Sequence, residues 1–327
     1  MSVHAEPGGL DSRDYDIVQL ASMGPEIDAQ LDRTWRVLSL IDDPHAMDKL
    51  AWAPRARAVV TSVRKGLSRE AIDRLPALQA ICSWGVGYET LDLASARARG
   101  IVASNTPDVL DDCVADLAWA LLLAAARRTH VGDHYVKTGQ WRTIGAFPLS
   151  TRVWGKRLGI LGMGRIGRAI AERGQGFGMA VRYHNRRPRT DVAYAFEASL
   201  VALAEWADFL VLACPGGAQT HHIVDARVIR ALGPKGILVN IARGSVVDEA
   251  AMVQALASGE LGGAGLDVLE HEPSVPQALR AMDQVALMPH VGSATHETRA
   301  EMSRLVYDNV TTFLTEGRLL TPIRDAL

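Results

Sequence analysis

Several features are scarce in this sequence of 327 residues, and each scarcity excludes a class of protein. The three cysteines, Cys82, Cys113 and Cys214, are too few and too scattered to predict a disulfide framework or a metal site. The net charge is only −2, which does not indicate a nucleic-acid partner. No apolar run approaches the roughly 18 residues of a membrane span, and the N-terminus has no apolar signal core. We therefore expect a cytoplasmic protein with no membrane partner.

The remaining composition is that of a globular protein, with 48% hydrophobic and 22% charged residues. The length is sufficient for two domains with substantial cores. Beyond a polar stretch at 1–14, which we expect to be disordered, short apolar segments alternate with amphipathic ones as far as a last helix, predicted over 296–316. This alternation predicts α/β architecture, with parallel sheets covered by helices on both faces.

Three helix predictions before the middle of the chain are specific enough to be tested. Ser68 is predicted to cap one helix, and a second is predicted over 90–99, closed by Gly100. A long apolar helix is predicted from Leu110 to Arg128, followed by an irregular connector over 129–156.

The stretch at 157–189 organises the chain, because it reads as strand, glycine turn, helix and strand. Gly162 permits a tight turn out of the first strand, Gly164 has no side chain to hold a pyrophosphate away, and Gly167 permits close packing of helix on strand. The free N–H groups of the first helical turn then meet the phosphates. We therefore predict a dinucleotide site, with contacts from the fingerprint residues Gly162, Met163, Gly164, Arg165 and Ile166.

The end of the second strand predicts which dinucleotide binds. NAD sites usually place a carboxylate about 20 residues after the fingerprint, but Asn185 stands here and is followed by Arg186, Arg187 and Arg189. Guanidinium groups match a 2′-phosphate, which a carboxylate would repel. NADPH is therefore the predicted cofactor, with NADH possible but weaker, although a solvated basic loop is the simpler alternative.

Polar residues follow three later strands, at the sheet edge where open α/β folds bind ligands. Arg243 ends the segment VNIARG, carboxylates crowd the segment GLDVLEHEP, and His290 follows the strand of MPHVGS. Alone, each residue is more often structural or solvent-facing. Together they supply a cation for a substrate carboxylate, a titratable acid or base, and a carboxylate to orient it.

These segments, with SWGVGYETLDL and NTPDVLDDCVADLAWALLLAAARR, resemble the D-isomer-specific 2-hydroxyacid dehydrogenase family from about residue 50 onward. The segment FPLS and the strand end HNRR are most similar to its glyoxylate/hydroxypyruvate and hydroxyphenylpyruvate reductases. The resemblance implies NADPH-dependent reduction of a 2-oxo acid without a metal, in a cleft between two domains. It also implies a homodimer, for which the helix ending at Ala126 and the arm with Trp141 are candidates; burial of that helix within its own subunit is the alternative.

The resemblance also implies roles for individual residues. Arg243 would bind the substrate carboxylate and carbonyl oxygen, His290 would be the general acid/base, and Glu272 would hydrogen-bond His290 and favour its protonated form. The backbone amides of Val86 and Gly87 would bind the substrate carboxylate. On the cofactor side the implied residues are Cys214, Pro215, Thr220, Ile241, Ala242, Arg243, Asp267, His290 and Gly292.

The implied fold is a Rossmann cofactor domain at residues 107–295, inserted into a flavodoxin-like substrate domain formed by 1–106 and 296–327.

Asp111 departs from the family, since relatives usually have threonine facing the cofactor there, and His221 and His222 are outside its pattern and are interpreted as surface residues. Trp84, Tyr88 and Trp141 are candidates for the substrate pocket or for packing alone.

The alternatives to a reductase of this kind are a cofactor-sensing, non-catalytic protein of the same fold, or a dehydrogenase acting on formate, phosphoglycerate or phosphite.

Overall fold

A computed structural model describes residues 14–323 and divides the chain into two compact units. The first unit holds the chain up to Leu110 and again from Thr295, and the second unit is Asp111–Ala294. The expected disorder of the N-terminal stretch falls almost entirely on residues outside the described range. No helix within 14–323 is long and apolar enough to cross a membrane.

The strands and helices alternate along most of the described chain. The strands are β1 (Ile17–Gln19), β2 (Val37–Ser39), β3 (Ala58–Ser62), β4 (Ala80–Trp84), β5 (Val102–Ser104), β6 (Arg157–Leu161), β7 (Ala180–His184), β8 (Ala195–Phe196), β9 (Phe209–Leu212), β10 (Ile237–Asn240), β11 (Gly263–Leu266) and β12 (Val285–Leu287). The helices are α1 (Pro25–Thr34), α2 (Ala46–Lys49), α3 (Arg69–Asp73), α4 (Leu93–Ala98), α5 (Asp111–Arg127), α6 (Thr129–Lys137), α7 (Arg165–Gly176), α8 (Leu200–Trp206), α9 (Ala226–Leu232), α10 (Glu249–Ser258), α11 (Gln277–Arg280) and α12 (His296–Glu316). Short 3₁₀ turns occur at Leu50–Trp52 and Gly244–Val246.

The first unit is built on a parallel sheet with the strand order β2-β1-β3-β4-β5. Successive residues of β3 point to opposite faces, so Val59 joins one apolar cluster while Ala58 and Val60 join the other. Because both faces are covered, the strands are continuously apolar instead of alternating with polar residues. This is the flavodoxin strand order, so the predicted flavodoxin-like fold of this unit is confirmed.

The second unit is built on a parallel sheet with the order β12-β11-β10-β9-β6-β7-β8. The chain leaves β6 through the glycine turn into α7 and returns as β7 on one side, whereas β9 lies on the other side. That reversal of strand order is the switch point at which Rossmann folds bind dinucleotides. The predicted Rossmann fold is therefore confirmed, and the carboxyl ends of β10, β11 and β12 lie next to one another.

Several element boundaries differ from the predictions. The helix predicted over 90–99 begins only at Leu93, because the Asp92 carboxylate caps it by accepting from the Ser95 N–H, whereas Ser68 caps α3 as predicted. The connector after α5 is not irregular throughout, since α6 follows at once. Arg128, at φ 53°, separates α5 from α6 in a left-handed conformation that breaks the helical ladder without ending the helical region.

Candidate functional site

The glycine turn between β6 and α7 has the geometry that the fingerprint predicts at two of its glycines. Gly162 has φ +101°, and a Cβ there would lie 2.5 Å from the Cys214 backbone nitrogen. A Cβ at Gly167 would collide with the Gly162 carbonyl oxygen. At Gly164 the same position is open space, so the backbone is accessible at the start of α7. The turn therefore places the first helical turn of α7, whose N–H groups point out of the helix, beside an open surface, which fits a pyrophosphate.

The segment that follows β7 holds the backbone of Met163 from both sides. The Asn185 Oδ1 accepts a hydrogen bond of 2.7 Å from the Met163 N–H, and the Arg189 Nη1 donates at 3.2 Å to the Met163 carbonyl. Only the oxygen of the amide can accept from an N–H, so the orientation of the Asn185 side chain is fixed. Its Nδ2 is a donor, which suits a phosphate better than the carboxylate of an NAD site would.

The arginines after Asn185 differ in their surroundings. Arg186 and Arg187 are exposed, and the Arg186 Nη1 donates to the Gln219 Oε1 at 2.8 Å, which steers the guanidinium. Arg189 instead forms a double hydrogen bond with Asp191, at 2.8 and 2.6 Å. The bond from Arg189 lowers the pKa of Asp191 below its ordinary value, and Arg168 adds to this effect. The charge expected from Arg189 is therefore largely compensated by its own neighbour.

Arg165 and Asp111 form an ion pair, with 3.1 Å between the Arg165 Nε and the Asp111 Oδ2. Arg165 is the first residue of α7 and Asp111 the first of α5. The departure from the family pattern at Asp111 therefore places a carboxylate against the fingerprint arginine.

His290 and Glu272 meet as predicted, with 2.7 Å between the His290 Nδ1 and the Glu272 Oε2. The other carboxylate oxygen of Glu272 accepts from the Leu269 N–H at 3.1 Å, so the carboxylate is held at both ends. About a quarter of the His290 side chain is exposed. Because its Nδ1 faces the carboxylate, the imidazole has Nε2 as the nitrogen that can exchange a proton with a ligand.

Asp267 fixes the loop that carries His290. Its carboxylate accepts from the N–H groups of Val291 at 2.7 Å and Gly292 at 2.9 Å, and its carbonyl accepts from the His290 N–H at 2.8 Å. Burial raises the pKa of Asp267, and the two N–H bonds to its carboxylate offset part of that rise. These contacts hold His290 at φ 56°, a conformation that a non-glycine residue rarely adopts.

Arg243 follows β10 in a turn that the buried side chain of Asn240 holds together. The Asn240 Oδ1 accepts from the Ala242 N–H at 3.0 Å, and its Nδ2 donates to the Arg243 carbonyl at 2.9 Å. The Arg243 side chain passes so close to Gly216 that a Cβ there would lie 2.7 Å from its Cγ. Gly244 is needed as well, since a Cβ would collide with the backbone of Leu269. The direction of Arg243 is thus set by its backbone and by Gly216.

The other residues predicted on the cofactor side surround the same strand ends. The Thr220 hydroxyl donates to the Pro215 carbonyl at 2.8 Å, which closes the turn after β9. Ile241 and Ala242 are buried beside it. Cys214 is buried there as well, and burial raises the pKa of its thiol to about 12, which disfavours the thiolate.

Val86 and Gly87 belong to the first unit, in the loop that leaves β4 at its carboxyl end. The Asn105 Nδ2 donates to the Val86 carbonyl at 2.8 Å, and the Thr106 hydroxyl accepts from the Gly85 N–H at 3.1 Å. A trans peptide points its N–H away from its carbonyl, so the Gly87 N–H is directed away from Asn105. Side chains after β5 therefore fix the direction of this amide.

Comparison with known proteins identifies the family of this chain. The sequence profile of the D-isomer specific 2-hydroxyacid dehydrogenase, NAD binding domain, matches residues 119–292. The chain is 44% identical over 308 residues to hydroxyphenylpyruvate reductase of Plectranthus scutellarioides, covering 94% of this chain and 98% of that protein. It is 42% identical, with the same coverage, to glyoxylate/hydroxypyruvate reductase A of Arabidopsis thaliana. The chain belongs to the D-isomer specific 2-hydroxyacid dehydrogenase family.

A solved structure of this family matches the whole fold. The NADPH-dependent glyoxylate/hydroxypyruvate reductase of Sinorhizobium meliloti, in complex with NADP and malonate, superposes with a TM-score of 0.87 at 40% identity. The match covers 95% of this chain and 99% of that one. The two-unit α/β architecture of this dehydrogenase is therefore shared with a cofactor-bound relative.

Two residues that hold predicted site residues in place, Gln219 and Asn240, were not identified from the sequence. Gln219 stands between Pro215 and Thr220, two residues already assigned to the cofactor side, and that position was the available signal. Asn240 lies within the segment VNIARG, where a polar residue at the end of a buried strand was the signal.

Two of the three aromatic candidates for the substrate pocket, Trp84 and Tyr88, have packing contacts within the first unit. The Arg299 guanidinium lies 4.4 Å from the centre of the Trp84 ring, and both residues are in the first unit. Tyr88 packs against the core of that unit. Trp141 is in the second unit and is more than half exposed.

Proposed function

We propose that this protein is an NADPH-dependent oxidoreductase that reduces small 2-oxo acids to 2-hydroxy acids, with glyoxylate and hydroxypyruvate as substrates. The observation that carries the proposal is the bond between the His290 Nδ1 and the Glu272 Oε2 at the ends of neighbouring strands. Such a pair holds a proton on an imidazole that faces a ligand with its other nitrogen. The names of the relatives at 42–44% identity supply the substrate class.

The residues of this chain fit the cofactor that the family implies. Gly164 leaves room for a pyrophosphate, and the first turn of α7 supplies N–H donors. The fixed amide donor of Asn185 and the exposed guanidinium of Arg186 suit a 2′-phosphate. NADPH supplies a hydride, and with it two electrons, to the carbonyl carbon of the substrate.

In the proposed reaction His290 gives the proton from its Nε2 to the oxygen of the carbonyl. Glu272 stabilises the imidazolium before transfer and keeps the ring oriented afterwards. Arg243 neutralises the substrate carboxylate and polarises its carbonyl. We also assign the N–H groups of Val86 and Gly87 to the carboxylate, because Asn105 and Thr106 fix the backbone on either side of that amide pair.

We further propose that the protein is a homodimer located in the cytoplasm. The face of α5 that we considered for pairing packs inside its own unit, since Leu121, Leu122 and Ala126 are buried there. The arm after α6 instead exposes large apolar side chains, which are Trp141, Ile144, Leu149 and Trp154. A second copy of the chain is the partner we expect for them. The free thiols of all three cysteines suit a reducing compartment.

The experiment is a panel of 2-oxo acids assayed with NADPH under initial-rate conditions. Turnover of glyoxylate or hydroxypyruvate by the parent protein, lost in His290→Ala, supports the proposal. Binding of NADPH without turnover of any 2-oxo acid would identify the protein as a cofactor-sensing member of the same fold. Preferred turnover of phosphoglycerate or formate would identify the other alternative.

A further inference from the structure

His221, His222 and Glu270 form a cluster that the proposed reaction does not use. The donor atoms of the three side chains all lie within 4.8 Å of one another. The His222 Nε2 is 2.7 Å from the Glu270 Oε1, and the rings of His221 and His222 stack with centroids 3.9 Å apart. We propose that these three side chains bind a divalent transition-metal ion, with zinc as the ion that fits best.

The backbone brings the two imidazoles to one side. Neighbouring residues in an extended chain point in opposite directions, but His222 has a left-handed φ of 50°. Its N–H donates to the Ser245 carbonyl at 2.8 Å, and the Ile223 N–H closes a turn onto the Thr220 carbonyl at 3.3 Å. The backbone of this turn therefore places both imidazoles on the same side.

The acidic partner is also held in place. The Glu270 N–H donates at 3.0 Å to the Oε2 of Glu249, the buried first residue of α10. That contact fixes the backbone of Glu270 and places a second carboxylate behind it. A dication at the cluster would thus meet one carboxylate as a ligand and a further negative charge close by.

The donor set selects the class of ion. Two imidazoles and one carboxylate suit zinc and its neighbours, whereas magnesium and calcium prefer oxygen ligands alone. Zinc at about 2.0–2.1 Å from each donor needs donors roughly 3.3 Å apart in a tetrahedral site. The exposed side chain of His221 is free to close that distance by rotation of its two torsions.

Binding replaces the hydrogen bond between the His222 Nε2 and the Glu270 Oε1 with bonds from both atoms to the metal. The neutral His222 ring carries its one proton on Nδ1 in the bound form, so Nε2 and the carboxylate oxygen are ligands. His221 adds the third bond, and water completes the tetrahedron. The ion would join the turn at 220–223 to the loop after β11. Metal binding would not depend on the reductase activity.

The test is calorimetric titration of zinc chloride into chelator-treated, tag-free protein, with cobalt(II) absorption as a second readout. We expect one ion per chain, a rise in Tm, and the visible bands of cobalt in a site with nitrogen ligands. His221→Ala, an exposed change, should weaken binding by about tenfold or more, as should Glu270→Gln. His271→Gln alters an exposed histidine beside Glu270 that is outside the cluster, so it is the matched control and should bind like the parent.

Two results would overturn the proposal. One is a parent protein that takes up no zinc at millimolar concentration. The other is a His221→Ala variant, folded by circular dichroism, that binds zinc as tightly as the parent, because the ion would then be bound elsewhere.

Discussion

At the scale of single residues, the proposed proton donor His290 is held through one ring nitrogen by Glu272. Replacement of His290 by alanine removes the donor and should lower turnover by about 10²–10⁴-fold, the usual contribution of a positioned acid or base. The measurement is kcat for reduction of hydroxypyruvate at saturating NADPH. A variant that keeps most of the parent activity would contradict the assignment.

Glu272→Gln gives a second view of the same pair. The carboxylate of Glu272 holds the His290 Nδ1 with one oxygen and the Leu269 N–H with the other, whereas an amide has only one oxygen that can accept. One of the two contacts is therefore lost, so kcat for hydroxypyruvate should fall while the KM for NADPH changes little. An unchanged kcat would mean that Glu272 does not position the ring.

Cofactor selectivity also depends on single side chains. Arg186→Ala removes one guanidinium that we propose binds the 2′-phosphate, while its partner Gln219 remains. A hydrogen bond to a charged group contributes about 1.5–3 kcal/mol, so kcat/KM for NADPH should fall by roughly 10- to 150-fold. The value for NADH should change little. The matched control is Arg227→Ala, which removes an exposed arginine of α9 that pairs with Asp225. This change should leave kcat/KM for both cofactors unchanged.

The sequence identified site residues whose charged or titratable side chains are rare at the ends of buried strands. A histidine, an arginine and a glutamate after buried strands are conspicuous, and the His290–Glu272 contact was predicted. Gln219 and Asn240 have neutral side chains that give no such signal. Their roles come from hydrogen bonds to Arg186 in the first case and to the backbone of Ala242 and Arg243 in the second. Those partners are brought near by the fold, so the sequence alone did not reveal them. The same holds for Arg189. Its charge is compensated by an ion pair with Asp191, and that pair depends on the path of an exposed loop.

At the scale of elements, the turn after β10 shows how a strand end aims a side chain. Asn240→Ala would remove the bonds to Ala242 and Arg243, so the buried Ala242 N–H would lose its acceptor, whereas the Arg243 carbonyl keeps the bond from the Val246 N–H at 3.2 Å. We expect a stability loss of about 1–3 kcal/mol. We also expect a KM for the 2-oxo acid that rises more than the KM for NADPH, since Arg243 is the residue released.

Urea unfolding and paired kinetics measure both effects. Asn240→Asp keeps the acceptor for the Ala242 N–H but buries a carboxylate and turns an oxygen toward the Arg243 carbonyl, so it should be less stable than the parent. Equal rises in both KM values would mean that Asn240 supports the fold without positioning Arg243.

Most strands and long helices were predictable because burial and periodicity determine them locally. The helix α6 was not, since it contains a glycine and exposed residues and has no buried face of its own. The strand β8 was missed for a related reason. It has two residues, and pairing with β7 is what makes it a strand.

At the scale of the whole molecule, the apolar arm after α6 is the feature that predicts assembly. We expect a mass of twice the chain in light scattering at micromolar concentration. The double change Ile144→Asp and Leu149→Asp places charges on two fully exposed apolar positions and should yield a monomer. The pair Val102→Asp and Leu320→Asp, exposed apolar residues of the first unit, is the control and should stay dimeric. A parent protein that runs as a monomer would reject the dimer.

The central claim concerns the reaction and its cofactor together. The most direct measurement is kcat/KM of the unmodified protein for NADPH and for NADH, on hydroxypyruvate, at one fixed pH and low salt. We predict turnover with both cofactors and a preference for NADPH of about tenfold or more, which shrinks as salt screens the exposed arginine. Equal or better use of NADH, or no turnover at all, would contradict the account.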